Sequence, residues 1–186
     1  MIGRLTKPPA ISVFASVLLL LMVLLARASN IVDQDENPQV TRSLAGARQK
    51  AAVVSQDADE LEALTRTDAT WHAHAAKLEE MKQHINDMAR SVEQLQAARD
   101  SASAWQRQAI DRMMPLMREL ASSTTAAINH LNQQQSRPTT PSYTEYLKEN
   151  AETAHELANM ISEFVEYGQA RQKLQNLEQK LEVASR

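Results

Sequence analysis

Apolar residues recur along most of this chain at alternating spacings of three and four, the period of one face of an α-helix. Val40, Leu44, Ala47, Ala51, Val54, Ala58 and Leu61 form a first stripe, whose alanines allow a neighbouring helix to approach closely. Trp71, His74, Leu78, Met81, Ile85, Met88, Val92 and Leu95 form a second, with Lys77, Glu79, Glu80, Lys82, Asp87 and Arg90 off the seam. That arrangement is a heptad pattern. A third stripe runs through Ile110, Met113, Met117, Leu120, Thr124, Ala127 and Leu131, widened by Met114, Ala121 and Ile128. The fourth uses Leu147, Ala154, Leu157, Ile161 and Phe164, then moves after Gly168 to Leu174, Leu177, Leu181 and Ala184. The move shortens one interval and predicts local overwinding.

Punctuation between the stripes sets the helix limits. Asn37 and Pro38 supply an N-cap type and a first-turn proline, so a helix starts there. The segments 65–70 and 100–103 hold Thr, Asp and Ser without Gly or Pro, which favours turns but does not compel them. Asn132 to Ser142, rich in Gln, Thr and Pro, reads as a loop, and Ser142-Tyr143-Thr144-Glu145 reads as a capping box opening the last helix. Pro115 removes a backbone hydrogen bond inside the third stripe and predicts a kink near Asp111 to Met114. The expected helices are Pro38 to Arg66, Asp68 to Arg99, Ser103 to Gln134 and Tyr143 to Ala184. An up-down-up-down four-helix bundle with coiled-coil-like packing buries all four stripes with the shortest connections. Leu78, Ile85, Val92, Leu120, Leu157, Ile161 and Phe164 are its expected core. A rod from Pro38 to about Arg99, packed in an extended hairpin or dimer, is the alternative architecture.

The first segment bears on compartment. Arg4 and Lys7 precede an apolar stretch from Ala10 to Ala26, and Ala26-Arg27-Ala28 places small residues where a signal peptidase reads. Residues 1–28 therefore read as a signal peptide, or as a membrane anchor if retained, followed by a polar tether over 29–37. Either reading puts the rest of the chain outside the cytoplasm, periplasmic or secreted, because basic residues precede the segment and Asp33, Asp35 and Glu36 follow it. Membrane association is expected only through this segment.

Composition then narrows the function. With 20 Lys+Arg against 23 Asp+Glu the formal net charge is −3, and losing Arg4, Lys7 and Arg27 would take it to −6. An acidic chain without a basic run is not expected to bind nucleic acid. No Cys is present, which excludes disulfides, a Cys nucleophile and iron–sulfur clusters, and three scattered Gly supply no phosphate loop or nucleophile elbow. No nucleophile or metal motif has correct spacing, so the chain reads as a non-enzyme without a cofactor.

The remaining chemistry is sparse. His74 is the one histidine on a seam, and a lone polar residue there can set register. Its other reading is an axial haem ligand opposite Met81, Met113, Met114 or Met117, since imidazole with thioether is a sound ligand pair. Met113, Met114 and Met117 could alternatively hold Cu(I), although thioethers at helical spacing are first of all core filler. Glu152 and His155 match the Glu-x-x-His spacing of di-iron bundles, but no second copy exists, and Glu80 with His84 is spaced differently.

The last helix is longer than the third, about 63 Å against about 48 Å at the α-helical rise. In an up-down bundle the excess lies at its C-terminus, beside the start of the first helix. Leu174, Leu177 and Leu181 fall on that excess, flanked by Arg171, Lys173, Glu178, Lys180 and Glu182, the pattern of a helix that pairs with another. A partner protein or a second copy of the chain is expected there, unless the leucines pack on the first helix. The function expected is thus that of an extracytoplasmic adaptor, scaffold or chaperone-like bundle. A ligand- or haem-holding bundle and a membrane-anchored sensory or tethering ectodomain are the alternatives.

Overall fold

The computed structural model describes residues 36–134 and 139–184. The signal peptide or anchor, most of the tether and the centre of the Gln- and Pro-rich loop lie outside the described residues. Four helices account for nearly all the rest: α1 (Pro38–Leu64), α2 (Trp71–Ala97), α3 (Ala104–Gln133) and α4 (Pro141–Ala184), with a 3₁₀ turn at Arg99–Ser101. No strand occurs among the described residues. None of these helices is long and apolar enough to cross a membrane.

Each helix packs on its neighbour in sequence, and α4 closes the square against α1. The four stripes meet inside as one core, which includes Val54, Leu61, Leu78, Ile85, Val92, Leu120, Leu157 and Ile161. This is the four-helix bundle, and the rod from Pro38 through Arg99 is overturned. Thr65, Arg66 and Thr67 each donate a backbone N–H to a carbonyl three residues back, and Thr65 and Thr67 add side-chain bonds to the same carbonyls. Those tightened turns end α1 at Leu64 and make room for Thr70 to cap α2, so both elements are shorter than their periodicity suggested.

Asn37 caps α1 as expected, its Oδ1 accepting from the amides of Gln39 and Val40. The capping box at Ser142 does not form. α4 begins at Pro141, which leaves Ser142 inside the first turn, and the Thr140 hydroxyl accepts from the Tyr143 amide at 3.3 Å instead. A proline fixed near helical φ extends the helix by two residues and hands the cap to the residue before it. α3 continues through Pro115 without a break. Both Pro115 and Asp111, whose carbonyl loses its amide partner, are exposed, so water can take up the orphaned group. Phe164 is only half-buried: Ile161, Val165 and Gly168 hold the inward positions, and the ring lies along the α3–α4 edge with the Arg112 guanidinium 5.7 Å above it.

Polar residues also tie the helices together. Gln106 is fully buried and uses all four of its hydrogen-bonding sites. Its Oε1 accepts from the amides of Ser103 (2.9 Å) and Asn37 (3.1 Å), while Nε2 donates to the Asn37 carbonyl and to Thr41 Oγ1, each at 2.9 Å. One side chain thereby fixes the start of α1 against the start of α3.

Candidate interaction surface

α4 has 44 residues against 30 in α3, a difference worth about 21 Å of helix. The excess is at the C-terminus. Gly168 is the last residue of α4 buried in the bundle, and residues 172–183 are all exposed. Gly168 marks the departure point for a steric reason. A Cβ on it would stand 2.7 Å from Cη2 of Trp105, so the indole fills the space a side chain needs.

On the projecting segment Leu174 is 57% exposed, Leu177 48%, Leu181 71% and Val183 76%. These are the largest exposures of any sizeable hydrophobic side chains among the described residues, and three of them form one stripe. Counted at about 100° per residue, the core residues Leu157, Ile161 and Val165 lie within about 60° of Gly168 around the helix. Leu174, Leu177 and Leu181 lie about 240°, 180° and 220° from it. The leucines therefore face away from the bundle. The first turn of α1 does run beside the projection, but it meets the polar side, where Glu36, Pro38, Thr41 and Arg42 share a groove with Gln172 and Gln175. Packing of the leucines on the first helix is thus overturned by the phase of α4.

At the root of the projection, Tyr167 packs edge-on to Trp105, with ring centroids 5.7 Å apart, and lies under the Arg171 guanidinium. Arg171 also donates to the Tyr167 hydroxyl at 3.3 Å. Arg171 and Glu178 thus flank the leucine stripe, with Arg171 held at its base. Trp105, Arg112, Phe164 and Tyr167 line a shallow groove just above.

The haem ligands suggested by sequence are not brought together. His74 is fully buried, with Nδ1 3.2 Å from the Tyr143 hydroxyl, and its pKa is lowered by burial. Met117 shares a groove with Ile85 and Val92 instead. Ile85 lies eleven residues along α2 from His74, about 16 Å, and Met113 is a further turn away along antiparallel α3. One metal cannot reach both side chains. Trp71 and Trp105 are likewise at opposite ends of the bundle, where Trp71 Nε1 donates to the Leu131 carbonyl at 2.9 Å and Trp105 meets Gly168.

Sequence reasoning missed a charged cluster between α1 and α2. Lys77 Nζ stands 2.8 Å from Asp57, 2.6 Å from Glu60 and 3.1 Å from Glu80, while His84 Nδ1 lies 2.5 Å from the other Asp57 oxygen. Asp57, Glu80 and His84 have ligand atoms close enough together to hold a cation. The Lys77 ammonium already supplies the positive charge there, so a metal would have to displace it. The available signal was position: Asp57 is three residues from Val54 and four from Leu61, and Lys77 is three from His74, so each borders its stripe. His155, from the Glu-x-x-His motif, meets Ser55 and Asp59, and Glu152 is exposed beside Lys148. In comparisons with known proteins, no family model, no curated protein and no solved structure matches this chain.

Proposed function

We propose that this chain is an extracytoplasmic helical-bundle protein that works by contact with protein, as an adaptor, scaffold or chaperone-like partner, through the projecting end of α4. The observation that carries the reading is the row Leu174, Leu177 and Leu181, exposed on a helix whose first half is fixed in a well-packed core. A contiguous apolar stripe on a water-facing helix is costly to leave uncovered and marks an interaction site. Holding that stripe on a helix already nucleated by the bundle removes the ordering cost that a free peptide of this length would bear. The leader-like segment at residues 1–28 supports export, and the acidic balance supports a protein partner over nucleic acid.

Photo-crosslinking in intact cells tests this reading. A photoreactive side chain at Leu177 forms protein adducts in the envelope or secreted fraction, whereas one at the exposed Glu79 does not. Equal absence of adducts at both positions would reject the contact surface. Recovery of the protein solely from the cytoplasm would reject export.

A further inference from the structure

Resting on the reading that the α4 projection is a protein contact surface, we infer that its partner is a second copy of this chain, joined in parallel as a short two-stranded coiled coil over Tyr167 to Ala184. The seam is a complete heptad run. Tyr167, Leu174 and Leu181 occupy one set of seam positions, and Ala170, Leu177 and Ala184 the other, at spacings of three and four throughout. Above Tyr167 the run ends: Met160 is buried in the bundle and the next exposed seam position is Glu163. The apolar seam thus begins where α4 leaves its own core.

Charge chooses both the partner and its direction. In a parallel pair, each residue just before a seam position of the first set faces the residue five places later on the other helix. Glu166 then faces Arg171 of the second copy, and Lys173 faces Glu178, and symmetry repeats both pairs. Every facing pair with two charges is attractive. The antiparallel alignment that stacks Leu174 on Leu177 keeps Arg171 opposite Glu178, but it sets Lys173 against Lys180 twice. A stripe made for an unrelated partner has no reason to carry flanks complementary to themselves at this spacing. Because the leucines face away from their own bundle, the two bundles lie on opposite outer sides of the helix pair, and the acidic faces above the seam, including Glu163, splay them apart.

The test uses the whole chain as isolated, in which there is no other thiol. Sedimentation gives a reversible dimer. Lys173→Glu weakens dimerisation at least tenfold by setting the introduced carboxylate against that of Glu178, and adding Glu178→Lys restores it. In the antiparallel alignment the same Lys173→Glu change would tighten the dimer by relieving the contact with Lys180. Leu177→Cys oxidises to a covalent dimer in the parallel pair, where the two copies of this residue share a layer. Antiparallel packing separates them by a further three residues along the axis, about 4.5 Å, and strains the bridge. A dimer that tightens with Lys173→Glu and does not cross-link overturns the parallel assignment while leaving the contact surface standing. A monomer at every concentration, with Leu177 adducts in cells all to foreign proteins, overturns self-pairing. All these positions are exposed, so unchanged thermal unfolding of the bundle separates lost pairing from lost folding.

Discussion

The Lys77 ammonium stands 2.8 Å from Oδ1 of Asp57, the one buried acid among the described residues, across the interface of α1 and α2. Removing the lysine leaves that carboxylate with His84 alone. Lys77→Met is therefore expected to cost about 3 kcal/mol, the low end for breaking a buried pair because Glu60 and Glu80 are solvated. Glu79→Ala, which breaks an exposed contact with Lys82, should cost under about 0.5 kcal/mol. Urea unfolding of the two variants at neutral pH makes the comparison.

The same site predicts alkaline behaviour. Burial is the largest single influence on Lys77 and pulls its pKa down, but the bonds to Asp57, Glu60 and Glu80 together raise it above the ordinary lysine range. A proton held more tightly folded than unfolded stabilises fully below the unfolded value of about 10.4, and the benefit is lost as pH climbs beyond it. Tyr143 acts in the same sense, since burial keeps its phenol protonated. Stability should fall above about pH 10, less steeply in Lys77→Met. Parallel slopes for the two proteins would remove Lys77 from the account.

At the acid end His74 governs a separate window. Burial lowers its pKa, so the unfolded chain binds the proton more readily, and stability is lost as pH falls below the unfolded value of about 6.5. Glu60, Glu79 and Asp111, lowered by their basic partners, respond only below about pH 4.5. His74→Gln should flatten the decline between about pH 6.5 and 5 and leave the more acidic one in place. Urea titrations across that range, compared with the parent, read it directly.

Two glycines should respond oppositely to alanine. Gly46 sits within α1 with open space where a Cβ would go, so Gly46→Ala should stabilise by about 0.5 to 1 kcal/mol through helix propensity. Gly168→Ala gains the same propensity but drives a methyl into the Trp105 ring, and overpacking of about 1 to 3 kcal/mol outweighs it. Thermal melts of the pair check the sign at each site.

Helix identity and inward faces were legible because each stripe repeats its period over several turns, and burial of seven such positions in α1 outweighs any local exception. Boundaries were less so. Thr140 takes the cap that the sequence places at Ser142, and Thr70 caps an α2 that starts three residues beyond Asp68, because one hydrogen bond decides a cap and several nearby residues can make it. Phe164 continues a three-four spacing and so belongs to the core by periodicity, but the wide apolar arc of α4 offers Val165 as an equal candidate, and packing on α3 buries Val165 instead. Asp57, Gln106 and Asn150 were illegible as buried residues: burial of a polar group depends on a partner from another helix, and periodicity within one helix carries no information about it. The projection was legible because it follows from length alone.

Trp105 against Gly168 also works as an index mark. A one-residue slip of α4 would bring Tyr167 or Gln169 to the indole, neither of which fits where a single Cβ already collides. The contact therefore fixes the rotational setting of everything downstream, and a rigid helix transmits that setting to the leucines about two to four turns away. The direction in which the projection reaches is thus a matter of counting. One alanine inserted after Ala170 swings the stripe by about 100°, and four inserted residues return it to within about 40° of its original bearing. Aim and fold are separable in this molecule: the bundle holds the bearing, and the residues beyond Gly168 can be re-aimed without disturbing the core that holds them.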